Sequence, residues 1–211
     1  TGVGTTGALT NSNGTAAGYA GVVTVGAGGA SIGGTGDITL SAGLGTNANA
    51  LTKVGADTLT LSAASSRTGT ATISAGTLKV GADGALGTNV AAVTVSNLAS
   101  LDLNGIGYAT ASPLTLNGAG VGGTTGALLN SSGTGASYAG AITLASGSTI
   151  TSTGAGGLTL TGGITNATYD VTFDGANATT VSTTAITGSG GLVKNGAGTL
   201  TLSGANTYTG A

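Results

Sequence analysis

At neutral pH, the acid–base chemistry open to this chain rests on ten side chains, four basic and six acidic, among 211 residues that include no His, Cys, Met or Trp. Without Cys there are no disulfides, thiolate metal sites or thiol nucleophiles. Without His the commonest general base and the commonest transition-metal ligand are both missing. Serines are plentiful, but the bases left to activate one are Lys53, Lys79 and Lys194, and no serine spacing points to a Ser–Lys dyad. Asp170 and Asp174 are the one pair of acids close enough in sequence to suggest glycoside hydrolysis. Both project outward from a single short stretch, which reads as two solvated surface carboxylates.

Two glycine motifs also fall short. Gly2-Val3-Gly4-Thr5-Thr6-Gly7 fits the G-x-G-x-x-G dinucleotide pattern, but no helical periodicity follows, and the aligned copy GVGGTTG at 120–126 breaks the spacing with an extra Gly. Gly33-Gly34-Thr35-Gly36-Asp37 resembles a calcium-binding glycine-rich turn, yet Asp37 comes one position early and no tandem copy supplies aligned carboxylates. The expectation is therefore no catalytic, cofactor-binding or metal site, no cofactor and no enzyme activity. Four basic residues give no patch for nucleic acid, and no apolar run is long enough to insert in a membrane as a helix.

The elements that position these residues follow from composition. Charged residues are 5% of the chain, 44 residues are Gly and one is Pro, while mean hydropathy is +0.40 and net charge −2. Disordered chains combine low hydrophobicity with high net charge, so this is not their profile. Near-absent Pro and irregular Gly exclude collagen. A core of small aliphatic pieces suits a narrow, quasi-one-dimensional interior.

Internal repeats support that reading. GTTGAL at 4–9 recurs at 123–128, NSNGTAAGYAG at 11–21 aligns with NSSGTGASYAG at 130–140, and ITLSAG at 38–43 with LTLTGG at 158–163. LTKVGADTLTLSAASSRTG at 51–69 aligns with LVKNGAGTLTLSGANTYTG at 192–210, an offset larger by about one coil's length, with the extra residues near 166–190. One continuous solenoid over 1–211 is expected, with large repeats at about 1–119 and 120–211, the second truncated. The chain starts Thr1-Gly2-Val3 without Met or a leader and reads as a window on a longer array.

Alternating segments such as Val22–Val25, Ile38–Leu40, Thr58–Leu61, Thr77–Val80, Ala92–Val95, Ser100–Leu103, Pro113–Leu116, Ala141–Leu144, Gly157–Leu160, Val171–Phe173 and Thr199–Leu202 read as half-buried strands. Small polar residues and Gly after the last Leu supply corners. TLTL at 58, TLKV at 77 and SLDL at 100 recur once per coil of about 20 residues, as do ATI at 71, AVTV at 92 and PLTL at 113. The fold class expected is all-β, a parallel β-helix of about ten coils and roughly 50 Å at the spacing of neighbouring strands. Parity places Lys79, Asp102, Asp170 and Asp174 outward. Lys53 and Lys194 share the parity of Leu51 and Leu192, so the strands are expected to break before them, and Arg67 and Asp83 are expected in turns. Tyr19 and Tyr138 occupy matching repeat positions, as a lateral contact or a packed corner. Thr-x-Thr units at 58/60, 70/72, 149/151, 159/161 and 199/201 could order ice only if stacked on one face, and their spacing is irregular.

GGLVKNGAGTLTLSGANTYTGA at 190–211, with the diverged copy at 51–80, resembles the autotransporter-associated β-strand repeat of passenger domains in large bacterial surface proteins. The resemblance implies a right-handed parallel β-helix, exported across the outer membrane of a Gram-negative bacterium to the cell surface or beyond, as stalk, spacer or adhesin body. Asp57 replaces the Gly198 of the other copy, a change confined to a turn. A self-assembling extracellular fibre or matrix subunit is the alternative, with end-to-end or lateral self-association as its partner. Third comes an ice- or glycan-binding Thr-rich face. Sequence names no host or surface glycan or protein ligand.

Overall fold

The computed structural model describes residues 8–88 and 90–211. Apart from Gly107–Tyr108, with two residues, and Ile142–Ser152, with eleven, each strand is three to five residues long, and most alternate a buried aliphatic residue with a partly exposed small or polar one. Such strands bury only one face, so each needs like strands above and below it.

The chain satisfies that need by winding. Face one stacks Leu9–Asn11, Ala30–Gly34, Leu51–Gly55, Ala71–Ile73, Val93–Val95, Leu114–Gly118, the first part of Ile142–Ser152, Ile164–Ala167 and Ile186–Gly188. Face two stacks Ala17–Tyr19, Ile38–Leu40, Thr58–Leu61, Gly76–Val80, Ala99–Asp102, Leu128–Asn130, the last part of Ile142–Ser152, Val171–Asp174 and Leu192–Lys194. Among the described residues, face three has strands only in the second half: Gly107–Tyr108, Ala136–Tyr138, Leu158–Leu160, Thr179–Val181 and Leu200–Leu202. Every pairing is parallel. The expected right-handed parallel β-helix is what the chain forms, with about nine turns roughly 22 residues apart rather than ten of about 20. At the spacing of neighbouring strands nine turns make a rod of roughly 40 Å.

Inward side chains stack from coil to coil. On face two Leu59, Leu78, Leu101, Leu128, Ile150 and Phe173 follow one another in register, all nearly or completely buried. Burying each contributes about 1.5–3 kcal/mol, set against an ordering cost of about 1–2 kcal/mol for every residue fixed. No helix among the described residues is long and apolar enough to cross a membrane.

The two sequence copies do not lie on the same faces. Leu51–Gly55 and Thr58–Leu61 occupy faces one and two, whereas the matching Leu192–Lys194 and Leu200–Leu202 occupy faces two and three. The earlier blocks shift alike, Leu9–Asn11 on face one and its match Leu128–Asn130 on face two. The residues added near 166–190 form three successive sides, Ile164–Ala167, Val171–Asp174 and Thr179–Val181, one complete turn. That insertion leaves the one-face rotation of the second copy unchanged.

What the repeat encodes is a corner. Asn11 donates from Nδ2 to Thr15 O at 2.7 Å and to Asp37 O of the next coil at 3.0 Å, and its Oδ1 accepts from Asn13 N at 3.1 Å. Its match Asn130 repeats this with Thr134 O at 2.9 Å, Gly157 O at 2.7 Å and Ser132 N at 3.1 Å, one corner further round. The turns after Lys53 and Lys194 also correspond: Gly55 and Gly196 take φ of +79° and +65°. A Cβ at either would run into the carbonyl of the coil below, Gly34 O or Gly175 O.

Several expectations about charge need correction. The strand Leu51–Gly55 does not break before Lys53; it runs through, and Lys53 lies in the inward row between Ile32 and Ile73. The strand Leu192–Lys194 likewise includes Lys194. Arg67 is fully buried, not in an open turn, and Asp102, although outward by parity, is 2% exposed. Val22–Val25 is no strand; it makes a single bridge, Val23 to Leu44.

Candidate functional site

The expected candidates among the described residues fall at corners and turns of the solenoid or in its core. The motif at Gly2–Gly7 lies outside the described residues. Its counterpart at 120–126 forms a short 3-10 turn, Val121–Gly123, tied down by Ser100, whose Oγ accepts from Val121 N at 3.0 Å and donates to Gly126 O at 2.8 Å. Asp37 accepts from Thr58 N at 2.8 Å and so closes a corner between coils. Among the described residues no group of three or more acidic residues gathers as a metal site.

Asp170 and Asp174 are separated by roughly 13 Å of extended chain, and each is engaged with backbone. Asp170 accepts from Gly191 N at 2.8 Å and Asp174 from Gly175 N at 2.6 Å. Both close turns, and the geometry does not aim them at a common bond.

The lysines are spoken for in the same way. Lys53 Nζ donates to Val54 O and Gly55 O at 2.9 Å, to Asp57 Oδ1 at 2.6 Å and to Ala75 O of the next coil at 3.2 Å. Burial pulls its pKa below the ordinary 10.5, while the hydrogen bond to Asp57 and that carboxylate's charge oppose the shift. Lys194 repeats the inner half of this arrangement with Asn195 O and Gly196 O, but is exposed. Lys79 pairs with Asp102 at 3.3 Å, and Ser131 Oγ donates to the same carboxylate at 2.6 Å. That cluster covers Asp102.

The Ser-rich surroundings of Arg67 point to solvent, but the side chain is buried. Its guanidinium donates to Leu86 O at 2.9 Å, Asn49 O at 2.8 Å and Thr70 O at 2.6 Å. These carbonyls come from successive coils on the side that lacks strands in the first half. Arg67 does there what a third sheet does later in the chain.

The matching tyrosines differ. Tyr138 is buried, stacks on Tyr108 of the preceding coil with ring centroids 5.6 Å apart, and donates to Ser112 O at 2.7 Å. Tyr19 is 50% exposed. The packed corner is the reading for Tyr138.

The Thr-x-Thr units are scattered over three faces, and 58/60 meets Thr77 and Lys79 on the next coil. Face one nonetheless carries a single rank the sequence did not reveal: Ser31, Thr52, Thr72, Thr94, Thr115, Thr143, Thr165 and Thr187 follow in register. None of them is buried.

A second feature missed by sequence is an open groove of about 590 Å³ lined by Ser96, Asn97, Asn117, Gly118, Ser146 and Gly147. It crosses three coils at the corner between faces one and two.

Residues 51–80 and 192–211 match the family model of the passenger-associated-transport-repeat. The first match spans four strands, from Leu51–Gly55 to Gly76–Val80, and the second begins with Leu192–Lys194. The two matched segments therefore coincide with the strand–corner–strand unit that both copies build on different faces. The suspected passenger-repeat likeness holds for these two segments. No curated protein and no solved structure matches the chain.

Proposed function

We propose that this chain is a rod-forming segment of an exported bacterial surface protein, serving as stalk or adhesin body outside the cell. The observation that carries the reading is the agreement between the passenger-associated-transport-repeat match and the corner unit of a β-solenoid. A unit that seats on any face lets coils be added or lost without disturbing their neighbours, which suits a spacer whose length varies.

The test is surface labelling of cells that make the parent protein. Antibody against this chain should bind intact cells or find the chain in the medium. Signal that appears only after lysis would overturn the surface assignment.

A second reading, a self-assembling fibre subunit, is favoured by face one. Its eight-residue hydroxyl rank is flanked by small neutral residues such as Ala50, Ala92, Ala141 and Ala185, so an uncharged strip is available for lateral pairing. Electron microscopy in physiological salt distinguishes the two: discrete rods support the stalk, and long uniform filaments support the fibre.

A further inference from the structure

The strands Val93–Val95, Leu114–Gly118 and Ile142–Ser152 stack in register as far as Leu116 opposite Leu144. Beyond that point Gly118 pairs with Ser148, so the third strand carries two residues more than the second. The surplus bulges outward at Ala145–Gly147 and opens the groove between Ser96–Asn97, Asn117–Gly118 and Ser146–Gly147. Bulges of this kind re-aim side chains and are over-represented beside binding sites.

The lining is uncharged yet rich in hydrogen-bonding groups. Asn117 donates from Nδ2 to Val95 O at 2.9 Å, which leaves its Oδ1 as an acceptor. Ser146 Oγ accepts from Gly118 N at 2.9 Å and keeps its own proton to donate. The Asn97 amide bonds to none of the described residues and lies across Gly118, where a Cβ would collide with its Oδ1. Beside it Leu98 takes a φ of +62° and is 55% exposed. The turn closed by Ala99 N donating to Ser96 O at 3.1 Å holds that backbone and leaves the apolar side chain in solvent next to Asn97.

We propose that this groove binds a neutral polysaccharide chain lying along the rod axis. Amides and hydroxyls would exchange hydrogen bonds with sugar hydroxyls, and Leu98 would meet the C–H face of a ring. Each coil, at about 4.8 Å per step, offers the chain at least one further amide or hydroxyl. The proposal rests on the surface-exposed reading above and fails separately from it, because the test below needs no cell.

The test is a ¹⁵N NMR titration of the whole chain with cellohexaose, chitohexaose and mannohexaose, using a heparin hexasaccharide as the charged control. At least one neutral sugar should shift resonances confined to residues 96–98, 117–118 and 146–147. Asn97→Ala with Asn117→Ala should weaken that binding about tenfold or more with an unchanged circular dichroism spectrum. Leu98→Gly relieves the backbone, so it should melt no lower while binding more weakly. No shifts with any neutral sugar, shifts elsewhere, binding only of heparin, or full affinity in the double variant would each overturn the proposal.

Discussion

Lys53 Nζ lies 2.6 Å from Asp57 Oδ1 with both side chains fully buried, inside a row whose neighbouring members are Ile32 and Ile73. The pair belongs to the first copy alone, because Gly198 stands where Asp57 would recur. The ammonium also bonds the turn carbonyls of Val54 and Gly55 and the Ala75 carbonyl of the next coil, so it joins a corner to the coil above.

Breaking one side of that pair strands the other charge. Asp57→Ala should cost about 3–5 kcal/mol, read as a fall in urea midpoint. Lys53→Met leaves Asp57 and three carbonyls unpaired and should cost at least as much. Changing both, with Gly at 57 as in the second copy, should recover part of either loss, since the variants share one network. Strictly additive losses would show that the pair is not coupled.

Arg67→Lys should be destabilising in spite of its retained charge. An ammonium cannot span Leu86 O, Asn49 O and Thr70 O as the guanidinium fork does. A cost of roughly 2 kcal/mol is expected from carbonyls left without donors. Hydrogen exchange should quicken first around residues 44–49 and 86–90, and protection unchanged there would contradict the bridging role.

Alkali should unfold the rod by way of its stacked tyrosines. Burial pushes Tyr108 up to about 12 and Tyr138 also upward. Above pH 10 the unfolded chain ionises these groups while the folded chain keeps them neutral, so the unfolded state binds fewer protons and stability falls. Their contribution is complete below pH 10 and is lost as pH rises toward 12 and beyond. Lys53 acts in the opposite sense: its lowered pKa means the folded chain loses that proton first, which adds stability as pH climbs toward 10.5. Absorbance of tyrosinate and circular dichroism followed together should show a shared transition above pH 10.

Gly55→Ala places a Cβ against Gly34 O at a φ of +79°. A loss of roughly 1–2 kcal/mol is expected from the left-handed conformation alone, with more from the clash. Differential scanning calorimetry checks it, and an unchanged melting temperature would contradict the corner geometry.

Much of this fold was legible because alternation is a strict signal. Leu59, Leu78 and Leu101, spaced about one coil apart in the sequence, are partners in the structure, and Ala71, Val93 and Leu114 likewise. At Lys53 parity points inward although the residue is charged, and Asp57 with backbone carbonyls makes the burial tolerable. Arg67 has no alternation around it, so nothing local announced that its partners come from three different places in the chain. The groove depends on register. The longer spacing of 28 residues from Leu114 to Ile142, against 21 from Val93 to Leu114, lies upstream of it; the register shift begins only after Leu144, where no spacing between matching strands announces it. The rotation of the copies was likewise hidden, because a sequence alignment carries no face.

The absence of native cysteine allows the stack itself to be tested by paired cysteines. Neighbouring strands at about 4.8 Å bring in-register Cα atoms within disulfide range. Thr94→Cys with Thr115→Cys on face one, and Thr180→Cys with Thr201→Cys on face three, should each cross-link rapidly on mild oxidation. Thr180→Cys with Thr187→Cys, which lie on different faces, should not. Failure of both in-register pairs, or cross-linking of the mixed pair at the same rate, would contradict a solenoid whose second copy is rotated by one face.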